Sequence, residues 1–284
     1  MLIDAHHHLW SYNPHDYVWM TGAHGPLRRD FLIPELEAIT RASAVDVTIA
    51  VQARQMTEET EWLLSLAAVN PIMHAVVGWV PLVDPAVESV LARFAANPHL
   101  KAVRHVLHDE PDDHYILRPD FNRGIDLLRR HNLAYDILIF ERHLPQTIAF
   151  VDRHPNQVFI LDHVAKPRIR DRVLSPWREQ LHELALRPNV YCKLSGLATE
   201  ADWSLWTPAD LAPYFDIVLS AFGPARLMFG SDWPVVNLAG GYAKWLAAFR
   251  SFIAPLAPAE QAAICSSTAI SAYNLDPAPK RRTP

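Results

Sequence analysis

The sequence predicts a single (β/α)8 TIM barrel, and three observations lead to this fold class. Eight short apolar segments recur along the 284 residues, and each is followed by a helical pattern. Several of these segments are nearly continuous runs of Val, Ile and Leu, as expected for parallel strands that helices cover. The chain has only nine glycines and no G-x-G-x-x-G motif, which disfavours an open doubly wound sheet with a phosphate-binding turn.

The predicted strands are spread along the whole chain. In order, they cover residues 2–8, 46–53, 73–80, 101–108, 134–140, 157–163, 189–196 and 226–233. No shift in composition marks a domain boundary, so residues 1–275 are assigned to one barrel. Residues 276–284, rich in proline and basic side chains, are expected to form a flexible C-terminal tail.

Proline pairs predict where several helices begin and end. Asp84-Pro85, Ser175-Pro176 and Thr207-Pro208 each place a capping side chain before a proline at the first helical position. Asp210, three residues after Thr207, completes what resembles a capping box. Helix ends are indicated by the pairs at 70–71, 97–98, 154–155 and 187–188, each with proline second.

The composition excludes several classes of protein. Half of the residues are apolar and 20% are charged, which is typical of a globular protein and excludes wholesale disorder. A formal net charge of −5 argues against nucleic acid or an anionic membrane as the main partner, and no apolar run is long enough to span a membrane. Two cysteines cannot build a disulfide framework, so we expect a cytoplasmic protein. The oligomeric state stays open between a monomer and a homodimer.

Histidines and one carboxylate occupy the ends of three predicted strands. Successive side chains of a strand point to opposite faces, so His6 and His8 share a face while His7 points away. His163 ends the sixth strand and Asp232 the eighth, and strand ends meet at one mouth of a barrel. Three imidazoles and a carboxylate there predict a divalent-metal site, with zinc as first choice and manganese as the alternative.

Other polar and aromatic residues near the strand ends suit a small polyhydroxylated ligand. Side chains that donate several hydrogen bonds, or that form apolar walls against a sugar ring, are the candidate substrate contacts. They are Gln52, Arg104, His108, Lys166, Lys193, Trp10 and Trp233. Other roles stay open at this stage. Arg104 and Lys193 could form buried ion pairs inside the barrel, Lys166 could lie on the surface, and the tryptophans could belong to the core.

Four segments carry a specific resemblance. "IDAHHHLW", "DHVAKP", "YCKLSG" and "FGSDWPV", in this order, resemble the amidohydrolase superfamily, within it the sugar-acid lactonase branch that includes L-fuconolactonase and L-rhamnonolactonase. The resemblance runs from the first strand to about residue 275. It implies that His6 and His8 are the strand-1 ligands, His163 the strand-6 histidine and Asp232 the strand-8 carboxylate. The fourth and fifth strands lack the ligands of two-metal members, which points to one metal.

The expected activity is the hydrolysis of an aldonolactone such as L-fucono-lactone to the aldonic acid. We expect Asp232 to accept the proton of the attacking water, while the metal or His163 polarises the carbonyl. Three alternatives stay open. They are a metal-dependent decarboxylase of an aromatic or unsaturated carboxylic acid, a lactonase for a dicarboxylate or pyrone lactone, and a non-catalytic binding barrel.

Overall fold

The computed structural model describes residues 1–276 and confirms the predicted barrel. Eight parallel strands pair in chain order, from the first strand to the eighth. The strands are β1 Ile3–His7, β2 Val47–Val51, β3 Met73–Gly78, β4 Leu100–Val106, β5 Ala134–Leu138, β6 Phe159–Leu161, β7 Val190–Leu194 and β8 Leu227–Phe229. Each lies inside or within one residue of a predicted segment. The predicted tail at 276–284 lies, apart from Asp276, outside the described residues.

Helices cover the outside of this sheet. They are α1 Ile33–Ala42, α2 Thr57–Val69, α3 Val87–Ala95, α4 Pro119–Arg130, α5 Leu144–Arg153, α6 Trp177–Ala185, α7 Pro208–Phe222, α8 Gly241–Ile253, α9 Pro258–Ala262 and α10 Thr268–Ala272. Within residues 1–276, each helix is too short or too polar to cross a lipid bilayer.

One of the three predicted helix starts is confirmed. Helix α7 begins at Pro208, and the backbone N–H of Thr207 donates to Asp210 Oδ2 at 2.9 Å, as in a capping box. The other two are wrong by one or two residues. Asp84 accepts the N–H of Ala86 at 2.7 Å and therefore closes a turn that precedes α3. Helix α6 starts at Trp177, so Ser175 is not its capping residue.

The barrel closes just beyond the end of β8. The N–H of Asp232 donates to the carbonyl of His6 at 2.8 Å, and the N–H of His8 donates to the carbonyl of Trp233 at 2.6 Å. These two backbone bonds continue the ladder between the first and last strands. They also place the carboxylate of strand 8 directly beside the two histidines of strand 1.

Apolar side chains fill both sides of the sheet. Large residues of the helices and of the outer strand faces form the main core. A second cluster joins inward-facing strand residues such as Ile49 and Val77 to Tyr273 and Leu275. The C-terminal segment also accepts a hydrogen bond from Lys101 at the start of β4. It therefore closes the amino-terminal end of the barrel and leaves the opposite end for the site.

Candidate active site

Four side chains converge at the carboxyl ends of the strands. Asp232 Oδ1 lies 3.4 Å from His8 Nε2, 3.8 Å from His6 Nε2 and 3.9 Å from His163 Nε2. The Nε2 atoms of His6 and His8 are 3.2 Å apart, and all four side chains are buried. The structure therefore brings together the four residues that the sequence predicts as a metal centre.

Hydrogen bonds orient these imidazoles. His8 Nδ1 donates to the carbonyl of Val51 at 2.8 Å, which turns its Nε2 towards Asp232. His163 Nδ1 lies 2.9 Å from the hydroxyl of Ser195. Partners of this kind fix the tautomer and ring orientation of histidines that bind metals. Three imidazole nitrogens and one carboxylate oxygen within a few ångströms match the donors that zinc prefers, so the residues fit a divalent ion.

The backbone at two of the four residues is left-handed. Asp232 has a φ of 57°, and His163 begins a run of four such residues that ends at Lys166, with φ values of 52°, 48°, 61° and 48°. This conformation costs L-residues roughly 1–2 kcal/mol each. Residues 162–165 are fully or almost fully buried, so surrounding contacts hold the turn. The turn directs both His163 and Lys166 towards the same cleft.

A buried network of charges lies beneath the centre. Arg104 donates to Asp162 Oδ2 at 2.9 Å and to Gln52 Oε1 at 2.7 Å. Lys193 Nζ donates to Asp136 Oδ2 at 2.5 Å and lies 2.9 Å from Asp162 Oδ1. Gln52 and Lys193 are completely buried, which does not agree with the expectation that they contact substrate. A buried ion pair is the other role that the sequence allows for Arg104 and Lys193. The structure places Arg104 in an ion pair with Asp162, and Lys193 in ion pairs with Asp136 and Asp162.

Burial sets the protonation of the centre. It holds the pKa of His6 well below its ordinary value and lowers the pKa of His163 to about 3. Burial alone would raise the pKa of the Asp232 carboxyl, but the imidazoles of His163 and His8 outweigh it and hold that pKa below its usual range. At neutral pH His6 and His163 are therefore neutral and Asp232 is ionised. That combination can bind a cation and accept a proton.

A cleft of about 360 Å³ opens above the centre. Of the expected substrate contacts, Arg104, His108, Lys166 and Trp10 line it. Lys166 donates to Glu200 Oε1 at 2.7 Å, so it is held within the cleft wall. Trp233 is completely buried and packs edge-on against Phe31, with ring centroids 5.5 Å apart, so it belongs to the core.

The cleft has further walls that sequence reasoning missed. They are charged, polar or aromatic residues of the loops that follow β1, β4 and β7: Trp19, His24, Asp109, Thr199, Glu200 and Trp203. Asp109 and Glu200 lie only a few positions beyond the ends of their strands. The rule that loops at these ends carry the chemistry of a barrel could have pointed to both. The aromatic residues lie farther along their loops, where no periodic pattern places a side chain.

Known proteins resemble this chain over most or nearly all of its length. The amidohydrolase family matches residues 3–275. An L-fucono-1,5-lactonase of Burkholderia multivorans is 40% identical over 291 residues, covering 98% of each chain. A crystal structure of a B. multivorans amidohydrolase with bound zinc is 41% identical, with a TM-score of 0.93, over 97% of this chain and 100% of that one. An L-rhamnono-gamma-lactonase of Scheffersomyces stipitis is 25% identical over 68% of this chain and 65% of its own length.

Proposed function

The chain belongs to the amidohydrolase family, and we propose that it hydrolyses the lactone of a sugar acid, with L-fucono-1,5-lactone as the first candidate. One observation carries the proposal. An ionised, buried carboxylate, Asp232, lies within 3.9 Å of nitrogens of three buried imidazoles at the base of an open cleft. The similarity to a protein named L-fucono-1,5-lactonase supports the choice of substrate.

Asp232 is the proposed general base. Its pKa lies below the usual range, so it is ionised at neutral pH and can accept the proton of a water that attacks the lactone carbonyl. The carboxylic acid formed in this step can then protonate the alkoxide that leaves when the ring opens. Ser195 holds His163 in place, with its hydroxyl 2.9 Å from Nδ1, so the other ring nitrogen stays directed at the reacting region.

The donor set fits one divalent metal ion, and we propose zinc, with manganese as the alternative. His6, His8, His163 and Asp232 would hold it, since their ligand atoms converge and all four are buried. When bound, the ion supplies positive charge next to the developing oxyanion and lowers the pKa of water. Zinc bound to a 41% identical relative supports this choice.

The charges of the cleft favour an uncharged substrate. Among the described residues that line it, Arg104 is paired with Asp162 and Lys166 with Glu200. His108 Nδ1 lies 3.0 Å from Asp109 Oδ1. A substrate with its own carboxylates would have to compete with these pairs, at a cost in binding. A neutral sugar lactone can exchange hydrogen bonds with both members of the Lys166–Glu200 and His108–Asp109 pairs, which line the cleft. This favours it over the decarboxylase and dicarboxylate alternatives.

We further propose that the enzyme works on a small soluble metabolite in the cytoplasm, as part of L-fucose breakdown. Its two cysteines, Cys192 and Cys265, are free, which is usual in a reducing compartment.

The test is a screen of γ- and δ-lactones of six-carbon sugar acids, including the 6-deoxy series. A pH indicator follows the reaction, because lactone hydrolysis releases acid whereas decarboxylation consumes a proton. Asp232→Asn should lower turnover by roughly 10²–10⁴-fold without unfolding the barrel, because it removes the base. Asp109→Asn, in the wall of the same cleft, is the control and should change turnover less than about tenfold. Near-normal activity of Asp232→Asn would refute the assignment, and metal analysis of the same sample tests the metal.

A further inference from the structure

Four aromatic rings form a continuous chain across the cleft. The ring centroids of Trp10 and Trp19 are 6.4 Å apart, those of Trp19 and His24 are 5.5 Å apart, and those of His24 and Trp203 are 5.7 Å apart. Trp19, His24 and Trp203 line the cleft with accessible surface, and Trp10, which is completely buried, supports Trp19 from behind. The first three belong to the loop between β1 and α1, and Trp203 belongs to the loop between β7 and α7. We call this chain of rings the aromatic roof.

The first loop is fastened to the barrel beside the cleft. Asp16, three residues before Trp19, accepts a hydrogen bond from Arg54 at 2.7 Å. The backbone around Arg54 is fixed in turn, because Glu59 Oε2 accepts the N–H groups of Ala53 and Arg54 at 3.0 and 2.6 Å. Glu59 is completely buried. The Asp16–Arg54 pair therefore holds the loop that carries Trp19 and His24 against the end of β2.

The second loop is fastened as well. The indole N–H of Trp203 donates to the carbonyl of Thr199 at 2.8 Å. The next residue, Glu200, accepts from Lys166 at 2.7 Å, which joins this loop to the left-handed turn after β6. The roof thus has fixed ends on both sides of the cleft, and its rings can meet a ligand without first being ordered.

We propose that the aromatic roof selects a closed, neutral, polyhydroxylated ring and discriminates against the open-chain form of the same carbon skeleton. A sugar ring has apolar C–H faces and a polar rim. The faces suit the indoles of Trp19 and Trp203, and the rim suits paired groups such as Lys166 and Glu200 below. An open chain has no flat face to offer and loses more conformational freedom on binding. The roof therefore favours the cyclic ester over the ring-opened product.

The inference rests on the proposed function only for the identity of the ring, so its test uses binding and not turnover. Calorimetry compares a 1,5-anhydrohexitol, a neutral ring without an ester, with the corresponding open-chain hexitol. The native protein should bind the ring about tenfold more tightly. Trp203→Leu and Trp19→Leu should each remove most of that preference by weakening the binding of the ring, while the binding of the hexitol changes less than threefold.

Two neighbouring apolar residues provide matched controls. Val18 and Leu205 are 72% and 77% exposed, next to Trp19 and two residues from Trp203. Val18→Ala and Leu205→Ala should keep the preference for the ring. Equal binding of ring and open chain by the native protein, or an unchanged preference in Trp203→Leu, would overturn the inference. If the native protein hydrolysed no lactone but still preferred the ring to the open chain, only the proposed function would be refuted.

Arg54 is the positioning residue of the roof, and its variants test how the roof is held. Arg54→Gln should weaken the binding of the ring several-fold and leave the hexitol unaffected, because the loop with Trp19 loses its anchor on Asp16. Arg54→Lys keeps the charge and should restore part of the preference. Binding of the ring that is the same in Arg54→Gln and the native protein would show that this ion pair does not hold the roof.

Discussion

Gly196 offers the sharpest test of how the fold positions His163. This glycine follows β7 with a φ of 70°, a backbone conformation that costs other residues roughly 1–2 kcal/mol. A Cβ at this position would also lie 2.6 Å from Nδ1 and 2.7 Å from Cβ of His163. Gly196→Ala therefore forces His163 away from Ser195, with which it shares its 2.9 Å hydrogen bond.

The size of both effects can be worked out. Overpacking a tight site costs about 1–3 kcal/mol, so Gly196→Ala should lose roughly 2–5 kcal/mol of unfolding free energy in total. A displacement of His163 by about 1 Å should lower lactone turnover on the order of a hundredfold. Urea unfolding followed by circular dichroism measures the first quantity, and initial rates measured with the pH indicator give the second.

Gly223→Ala is the matched control. Gly223 has a φ of 67°, yet a Cβ at this position would meet no heavy atom within 4 Å beyond the adjacent residues of the chain. This variant carries the backbone cost alone. With a ψ of 162°, Gly223 lies in a region that other residues rarely adopt, so the cost should be about 1–3 kcal/mol, with normal turnover. If Gly196→Ala kept the normal turnover expected of Gly223→Ala, contact with His163 would have no consequence, and the expected role of Gly196 would be refuted.

Three further predictions concern the scaffold. Lys193→Met should lose about 3–5 kcal/mol of stability in thermal or urea unfolding, because Asp136 becomes a buried charge without its cationic partner. The double variant with Asp136→Asn should recover part of the lost stability. A fully stable single variant would contradict this. Asp210→Ala removes the hydrogen bond from the N–H of Thr207 and should cost about 1 kcal/mol of stability in urea unfolding, with turnover unchanged. Altered turnover would count against a purely structural role for Asp210. Burial lowers the pKa of His7 to about 3 from its ordinary 6.5, so unfolding lets it take up a proton between these values. His7 therefore makes the free energy of unfolding fall by about 1.4 kcal/mol for each pH unit of acidification through that window. His7→Asn should reduce the measured slope of unfolding free energy against pH by that amount. An unaltered slope would contradict the prediction.

The sequence predicts the strands well because burial on both faces leaves a strong apolar pattern. It does not predict where a strand gives way to a functional turn. The segment at 157–163 is predicted as one strand, whereas β6 ends at Leu161 and His163 lies in a left-handed turn. Hydrophobicity reports burial, and the turn is as buried as the strand. The change in φ therefore leaves no trace in the pattern.

The sequence pattern predicts some residues of the site and misses others, because it reports burial and not the path of the backbone. His6, His8, His163 and Asp232 are predictable because the ends of barrel strands converge by geometry. Lys193 also lies near a strand end, but its ammonium group is turned towards buried carboxylates, and alternation along a strand does not show which partner a side chain meets. The roof residues depend on the paths of two irregular loops, which only the folded chain defines.

The buried charges also bear on how many ions the centre can hold. Lys193 and Arg104 balance Asp136 and Asp162, at distances of 2.5 to 2.9 Å, whereas Asp232 has only imidazoles as its ion-pair partners. One divalent ion beside Asp232 meets that charge. A second ion beside Asp162 would face two cationic groups that each lie 2.9 Å from the same carboxylate. Like charges about 4 Å apart repel by roughly 4 kcal/mol at an effective dielectric constant of 20, and more for a divalent ion. The protein's own cations thus lie where a second metal would bind, which supports the proposal of a centre with one ion.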